Sequence, residues 1–100
     1  MKTVMILFCS ILIFALTASA QAGDAAAGKT KSILCVTCHG AEGISNNDVW
    51  PNLAGQKEGY LIKQIRNFRD GVRNNPMMTP LVSSLSDQDI ADLAAYFSRL

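Results

Sequence analysis

Apolar residues recur at helical spacing in three stretches of this chain, and polar or glycine-rich segments separate them. The last stretch is the clearest: Ile90, Leu93, Ala94 and Phe97 stand at i, i+3, i+4 and i+7, so one helical face is apolar. Ser86 and Asp89 just before it form a capping-box pattern, and Asp87 and Asp89 favour the positive end of the helix dipole. A second helix is predicted from Glu58 to about Asp70. Leu61, Ile65 and Phe68 share one face with Ile62 beside them, Lys63, Arg66 and Arg69 take other faces, and Gly71 ends it. The first helix is expected to run from an N-cap at Asp24 through Ala25, Ala26 and Ala27 to about Cys38. Its Ala25, Gly28, Ser32 and Cys35 are small and fall at helical spacing. Gly28 is either a weak point, costing about 1 kcal/mol against alanine, or the place where another helix crosses directly on the backbone. The small face favours the crossing.

The segments between are punctuated. Gly40 to Lys57 contains Gly40, Gly43, Asn46, Asn47, Pro51 and Gly55 and is expected to be a loop. Gly71 to Leu85 is expected to be a second loop, stiffened by Pro76 and Pro80, which oppose helix formation. There is no strand pattern, internal repeat or low-complexity tract. The fold class predicted is all-α with three main helices.

The N-terminus follows a different pattern. Lys2 gives a short positive region, Val4 to Leu16 is almost wholly apolar and broken only by Ser10, and Ala18-Ser19-Ala20 is an A-x-A site. This predicts a secretory signal peptide over residues 1–20, cleaved after Ala20, and a domain over residues 21–100. The run is shorter than the ~20 apolar residues of a membrane span; an uncleaved anchor is the alternative. Leu7-Phe8-Cys9 is no lipoprotein box, because few apolar residues precede Cys9 and no small residue flanks it on the N-terminal side.

Processing changes the composition. Cys9 leaves, so two of three cysteines remain. Nine basic residues less Lys2 leave eight, against eight acidic ones, so the mature chain is formally neutral. Nucleic-acid binding would call for a basic stripe, and net charge supplies no strong long-range steering. Removing twenty of 100 residues leaves eighty, one domain with a modest core. Such scaffolds usually need a staple.

Cys35-Val36-Thr37-Cys38-His39 supplies one. It spells C-x-x-C-H, the attachment signature of a c-type haem. Two thiols at i, i+3 can each add across one vinyl group, and the following imidazole then lies under the iron. A zinc site would need more ligands than His39 can complete. A thioredoxin-like dithiol calls for a βαβ context that is absent. The haem would also offer apolar surface for the helices to close around. Trp50, the only tryptophan, is expected at the haem edge.

With one histidine, the mature chain cannot supply a second imidazole ligand. The soft candidates for the far side of the iron are Met77 and Met78, because Met1 and Met5 leave with the leader. Methionine ordinarily fills core gaps. Two of them between prolines in a polar loop favour the ligand reading, with the thioether raising the potential.

These residues resemble the class I c-type cytochromes over nearly the whole mature chain, from Gly23-Asp24 through Phe97. The specific elements are Cys35-x-x-Cys38-His39, Pro51-Asn52-Leu53-Ala54-Gly55, Met78-Thr79-Pro80 and Leu93-Ala94-Ala95-Tyr96-Phe97. Trp50 to Gln56, Tyr60-Leu61-Ile62-Lys63-Gln64 and Leu85 to Asp89 are similar to one half of the two-haem cytochrome c-four type. The resemblance implies helices wrapped around one covalent haem c, with the N- and C-terminal helices crossing at Gly28 and Tyr96. It implies thioethers at Cys35 and Cys38, iron bound by His39 Nε2, and the Pro51 carbonyl accepting from His39 Nδ1. It selects Met78 over Met77 as distal ligand, and it implies haem contacts for Leu53. Tyr60 is either near the haem or a core residue at a helix start. The departure is the single C-x-x-C-H, which places internal haem-to-haem transfer in doubt.

Three functions compete. The leading one is a periplasmic single-electron carrier, not an enzyme, monomeric or a weak dimer, that meets redox partner proteins briefly through the exposed haem edge. The others are a haem-bearing subunit of a periplasmic dehydrogenase or oxidase complex and an open-site gas sensor. A second histidine or paired carboxylates for substrate chemistry are missing.

Overall fold

The computed structural model describes residue 13 and residues 22–100. The expected cleavage site, Cys9 and all of the expected leader but Ile13 lie outside the described residues. Five helices follow in order: α1 (Ala25–Lys31), α2 (Ile33–His39), α3 (Glu58–Arg69), α4 (Met78–Val82) and α5 (Asp87–Ser98). Among the described residues there is no strand. α1 and α3 both pack on α5, α4 packs on α3, and α2 continues from α1. The all-α expectation holds.

The C-terminal helix is the hub because the sequence gives it an uninterrupted apolar face. Ile90, Leu93, Ala94 and Phe97 are buried, and Leu61 from α3 joins Leu93, Ala94 and Phe97 in one cluster. Its start is the predicted capping box: the Ser86 hydroxyl accepts from Asp89 N, and Asp89 accepts from Ser86 N. Arg69 fastens α3 to the same start, donating to Asp87 at 2.8 Å and to the Leu85 carbonyl at 3.2 Å.

The crossing expected at Gly28 is a backbone contact. A Cβ there would stand 1.9 Å from the Asp92 carbonyl oxygen and 2.8 Å from Tyr96 Cβ. Gly23 is held against Ala91 in the same way, its Cβ position 2.1 Å from the Ala91 carbonyl oxygen. Without side chains in the way, polar groups near the crossing meet. Asp92 is 3% exposed on α5. It accepts from Asp24 N at 2.8 Å, Gln88 Nε2 at 2.8 Å and Lys31 Nζ at 2.6 Å. Lys31 also lies 2.8 Å from Asp89. The Asp24 amide, then Lys31, hold the Asp92 carboxyl down to about 2.

Two expectations are corrected. The single first helix is interrupted at Ser32, which separates α1 from α2. The buried Ser32 hydroxyl donates to the Lys29 carbonyl at 2.6 Å, and its amide is shared between the Gly28 and Lys29 carbonyls. A serine bonded to the preceding turn tightens and bends a helix. The second loop is not free of helix either, because α4 lies within it. Pro80 is the third residue of α4, in the first turn, where a backbone N–H has no intrahelical acceptor to lose.

Gly28→Ala should overpack the crossing and lower stability by about 1–3 kcal/mol, read as a fall in the urea midpoint of the haem-loaded protein. Asp92→Ala should cost about 2 kcal/mol near neutral pH. The folded pKa of Asp92 lies below the ordinary 3.8, so this stabilisation is fully present above pH 3.8 and is lost as pH falls through about 2. Urea midpoints of wild type and variant should therefore converge over that window; a constant gap would exclude the carboxylate as the cause.

Candidate haem-attachment site

α2 is a two-turn helix that carries Cys35, Cys38 and His39. Residues three apart on a helix are separated by about 60° around the axis, so both sulfurs serve one side. Both thiols are free and partly buried. Cys35 packs on the core cluster with Val36 and Leu53, and burial pushes its thiol up to about 11. Zinc binding and dithiol exchange both use the thiolate, which this setting disfavours. A neutral thioether suits it. Among the described residues no three metal-binding side chains gather elsewhere.

The helix stops directly after His39. Gly40 takes φ 94°, its amide closes on the Val36 carbonyl, and a Cβ there would stand 1.8 Å from the Ile44 carbonyl oxygen. Only glycine permits that turn. His39 is 7% exposed, and its Nδ1 lies 2.7 Å from the Pro51 carbonyl oxygen. A carbonyl can only accept, so Nδ1 carries the hydrogen and donates it. In the neutral ring the lone pair is then on Nε2, which has no hydrogen-bond partner among the described residues. That fixes the tautomer and orientation of the imidazole, as a metal ligand requires.

The loop holds Pro51 in place. Leu53 and Ala54 amides both donate to the Gly43 carbonyl, at 2.8 and 3.0 Å, and the Gly55 amide donates to the Phe97 carbonyl at 2.9 Å. Asn52 Oδ1 accepts from Ser45 N at 2.7 Å, and Asn47 Oδ1 from Val49 N at 2.8 Å. Gly43, Asn47, Asn52 and Gly55 are thus the struts behind His39.

The remaining candidates divide. Leu53 packs on the core beside Cys35. Trp50 is half-buried and is not among the residues packed on that cluster. Tyr60, in the first turn of α3, is 50% exposed, which removes its core reading. Met78 is partly buried, whereas Met77 is 55% exposed. A hollow of about 360 Å³ lies against the methionine loop, lined by Asn74, Asn75, Pro76, Thr79 and Pro80. No α2 residue lines it, so it is separate from the attachment helix.

Helices built around a C-x-x-C-H turn whose histidine is buried and polarised define a protein that holds a covalent haem. Residues 20–100 match the sequence profile of the cytochrome c family, and the chain belongs to that family. It is 52% identical over 89 residues to cytochrome c4 of Pseudomonas aeruginosa, covering 88% of this chain and 44% of that protein. It is 51% identical over 80 residues to cytochrome c-554(548) of Halomonas halodenitrificans, covering 77% of this chain and 96% of that protein. The structure of reduced recombinant cytochrome c4 from Pseudomonas stutzeri superposes with a TM-score of 0.73 at 44% identity, over 77% of this chain and 45% of that one. The chain thus spans about half the length of the cytochromes c4 it matches and nearly all of the Halomonas protein. The fold is that of a class I cytochrome c, and the cofactor is a covalently bound haem c.

Haem should survive acid-acetone extraction of the exported wild type, whose mass should exceed the polypeptide by one haem. The double variant Cys35→Ser with Cys38→Ser should give up any colour to the solvent. Colour retained by that variant would place the linkage elsewhere.

Proposed function

We propose that this chain is a single-electron carrier. Cys35 and Cys38 form the thioethers, His39 Nε2 is the proximal ligand, and Met78 is the distal ligand. The observation that carries the reading is the 2.7 Å bond from buried His39 Nδ1 to the Pro51 carbonyl. It leaves Nε2 as a basic donor that cannot rotate, which is what a permanent axial ligand requires. The haem, when bound, supplies reversible one-electron chemistry at iron. The chain's own task is to keep the iron's surroundings unchanged by that exchange. The struts behind Pro51 hold His39, and the partly buried Met78, as distal ligand, would fill the position an external ligand would need. A thioether favours the reduced metal and raises the potential.

The setting belongs to the same proposal. The leader over residues 1–20 exports the chain to the periplasm, where c-type haem attachment is completed, and cleavage after Ala20 releases the domain. Among the described residues no helix is long and apolar enough to cross a membrane. The mature domain, monomeric or weakly dimeric, meets redox proteins in contacts below ~1,200 Å² of buried surface, the size of electron-transfer encounters.

The ferrous wild type should bind carbon monoxide slowly or not at all at neutral pH. Met78→Ala should bind it rapidly, and Met77→Ala should behave as wild type, as followed by the shift of the Soret band. Rapid binding by Met77→Ala alone would transfer the ligand role to Met77. Rapid binding by the wild type would replace the carrier with an open-site protein.

A further inference from the structure

We propose that Asn75 is the positioning residue for the distal methionine; the proposal rests on the reading that Met78 is that ligand. The Asn75 carboxamide oxygen accepts from Met77 N at 2.9 Å and from Met78 N at 3.0 Å. Its own amide donates to Thr79 Oγ1 at 3.0 Å, and the Thr79 amide returns to the Asn75 carbonyl at 3.0 Å. Four hydrogen bonds therefore close residues 75–79 on themselves. The arrangement caps the turn that leads into α4: the asparagine side chain takes the second and third amides beyond it, with proline at the first position. Pro76 has no amide to satisfy, and its fixed φ suits the turn.

Little else can hold this segment. Gly71 to Met77 are all exposed, so packing does not fix the backbone that enters Met78. The anchors lie on either side of residues 74–77. Upstream, Arg73 stacks 4.4 Å over the Phe68 ring and bonds Gln64, and downstream Val82 is 3% exposed against the core. Pro80 has no amide to donate, and among the described residues its carbonyl accepts only from the exposed Ser83 hydroxyl, at 3.0 Å. Among the described residues, the side chain that bonds the Met78 backbone is Asn75. Its cap decides whether Met78 is presented in one position or swings with an exposed loop.

A positioning role is separable from general stability. In the swung-off state the cap is open, so its loss should raise the population of that state by the factor one cap is worth. The ferric, haem-loaded Asn75→Ala variant should bind added imidazole about fivefold more tightly than wild type. It should also show a weaker iron–thioether charge-transfer band and faster hydrogen exchange at the Met77 and Met78 amides. Asn75→Asp keeps the accepting oxygen and should restore all three readouts. Ser86→Ala, which removes the cap of α5 instead, should lower the urea midpoint and leave imidazole affinity unchanged. Should Asn75→Ala not accumulate, Thr79→Val removes the reciprocal acceptor and should raise imidazole affinity at least twofold.

The inference is overturned if Asn75→Ala, or Thr79→Val in its stead, binds imidazole as wild type does while Met78→Ala has lost the charge-transfer band. It is equally overturned if Ser86→Ala raises imidazole affinity as much as Asn75→Ala. If Met78→Ala keeps the band, the ligand reading itself has failed, and that result is recognisable without any Asn75 variant.

Discussion

The backbone contact between α1 and α5 at Gly28 is the constraint on which the rest of the molecule depends. A domain this small has few helices to assemble a core from, and α5 contributes most of that core. Packing α1 directly on the α5 backbone brings Asp24 and Lys31 within reach of Asp92 and leaves the other side of α5 for α3. It also fixes the origin of α2, which begins two residues after α1 ends. Cys35 therefore lands on the same apolar cluster as Leu61 and Phe97. A larger side chain at position 28 would lever α1 away from α5 and displace the attachment helix with it.

The site adds a second constraint to the first. α2 sets where the His39 ring begins, and the Pro51 carbonyl sets how it is turned. The loop carrying Pro51 is tied at Gly43 and at the end of α5, so both constraints trace back to the C-terminal helix. The buried ring, the partly buried Cys35 sulfur and the tied loop all suit a prosthetic group that stays in place while its charge changes.

The helices were legible in the sequence because their apolar faces and caps are local signals. Ser86 with Asp89, and Leu61 with Phe68, report on neighbours within a turn or two. The C-x-x-C-H run stood out in the sequence because it is a chemical spacing as well as a structural one. The family likeness added the Pro51 carbonyl, which the 2.7 Å contact bears out. The break at Ser32 was not legible, since it depends on a burial that decides where the hydroxyl can bond. The helix at Met78–Val82 was missed because two prolines were read as breakers, although each occupies a position whose amide is not needed. The Asn75-Pro76 pair was the available signal. Asp92 was invisible for a different reason: it sits within an apolar face, and its partner Lys31 is 61 residues away.

The account's central claim is that iron is held permanently between His39 nitrogen and Met78 sulfur. Proton NMR of the reduced, haem-loaded protein tests it most directly, with the methionine methyl groups selectively labelled. The account predicts one methyl resonance shifted far upfield by the porphyrin ring current and assigned to Met78, with Met77 near its ordinary position. An unshifted pair of methyl signals, or a paramagnetic spectrum of five-coordinate ferrous iron, would contradict it.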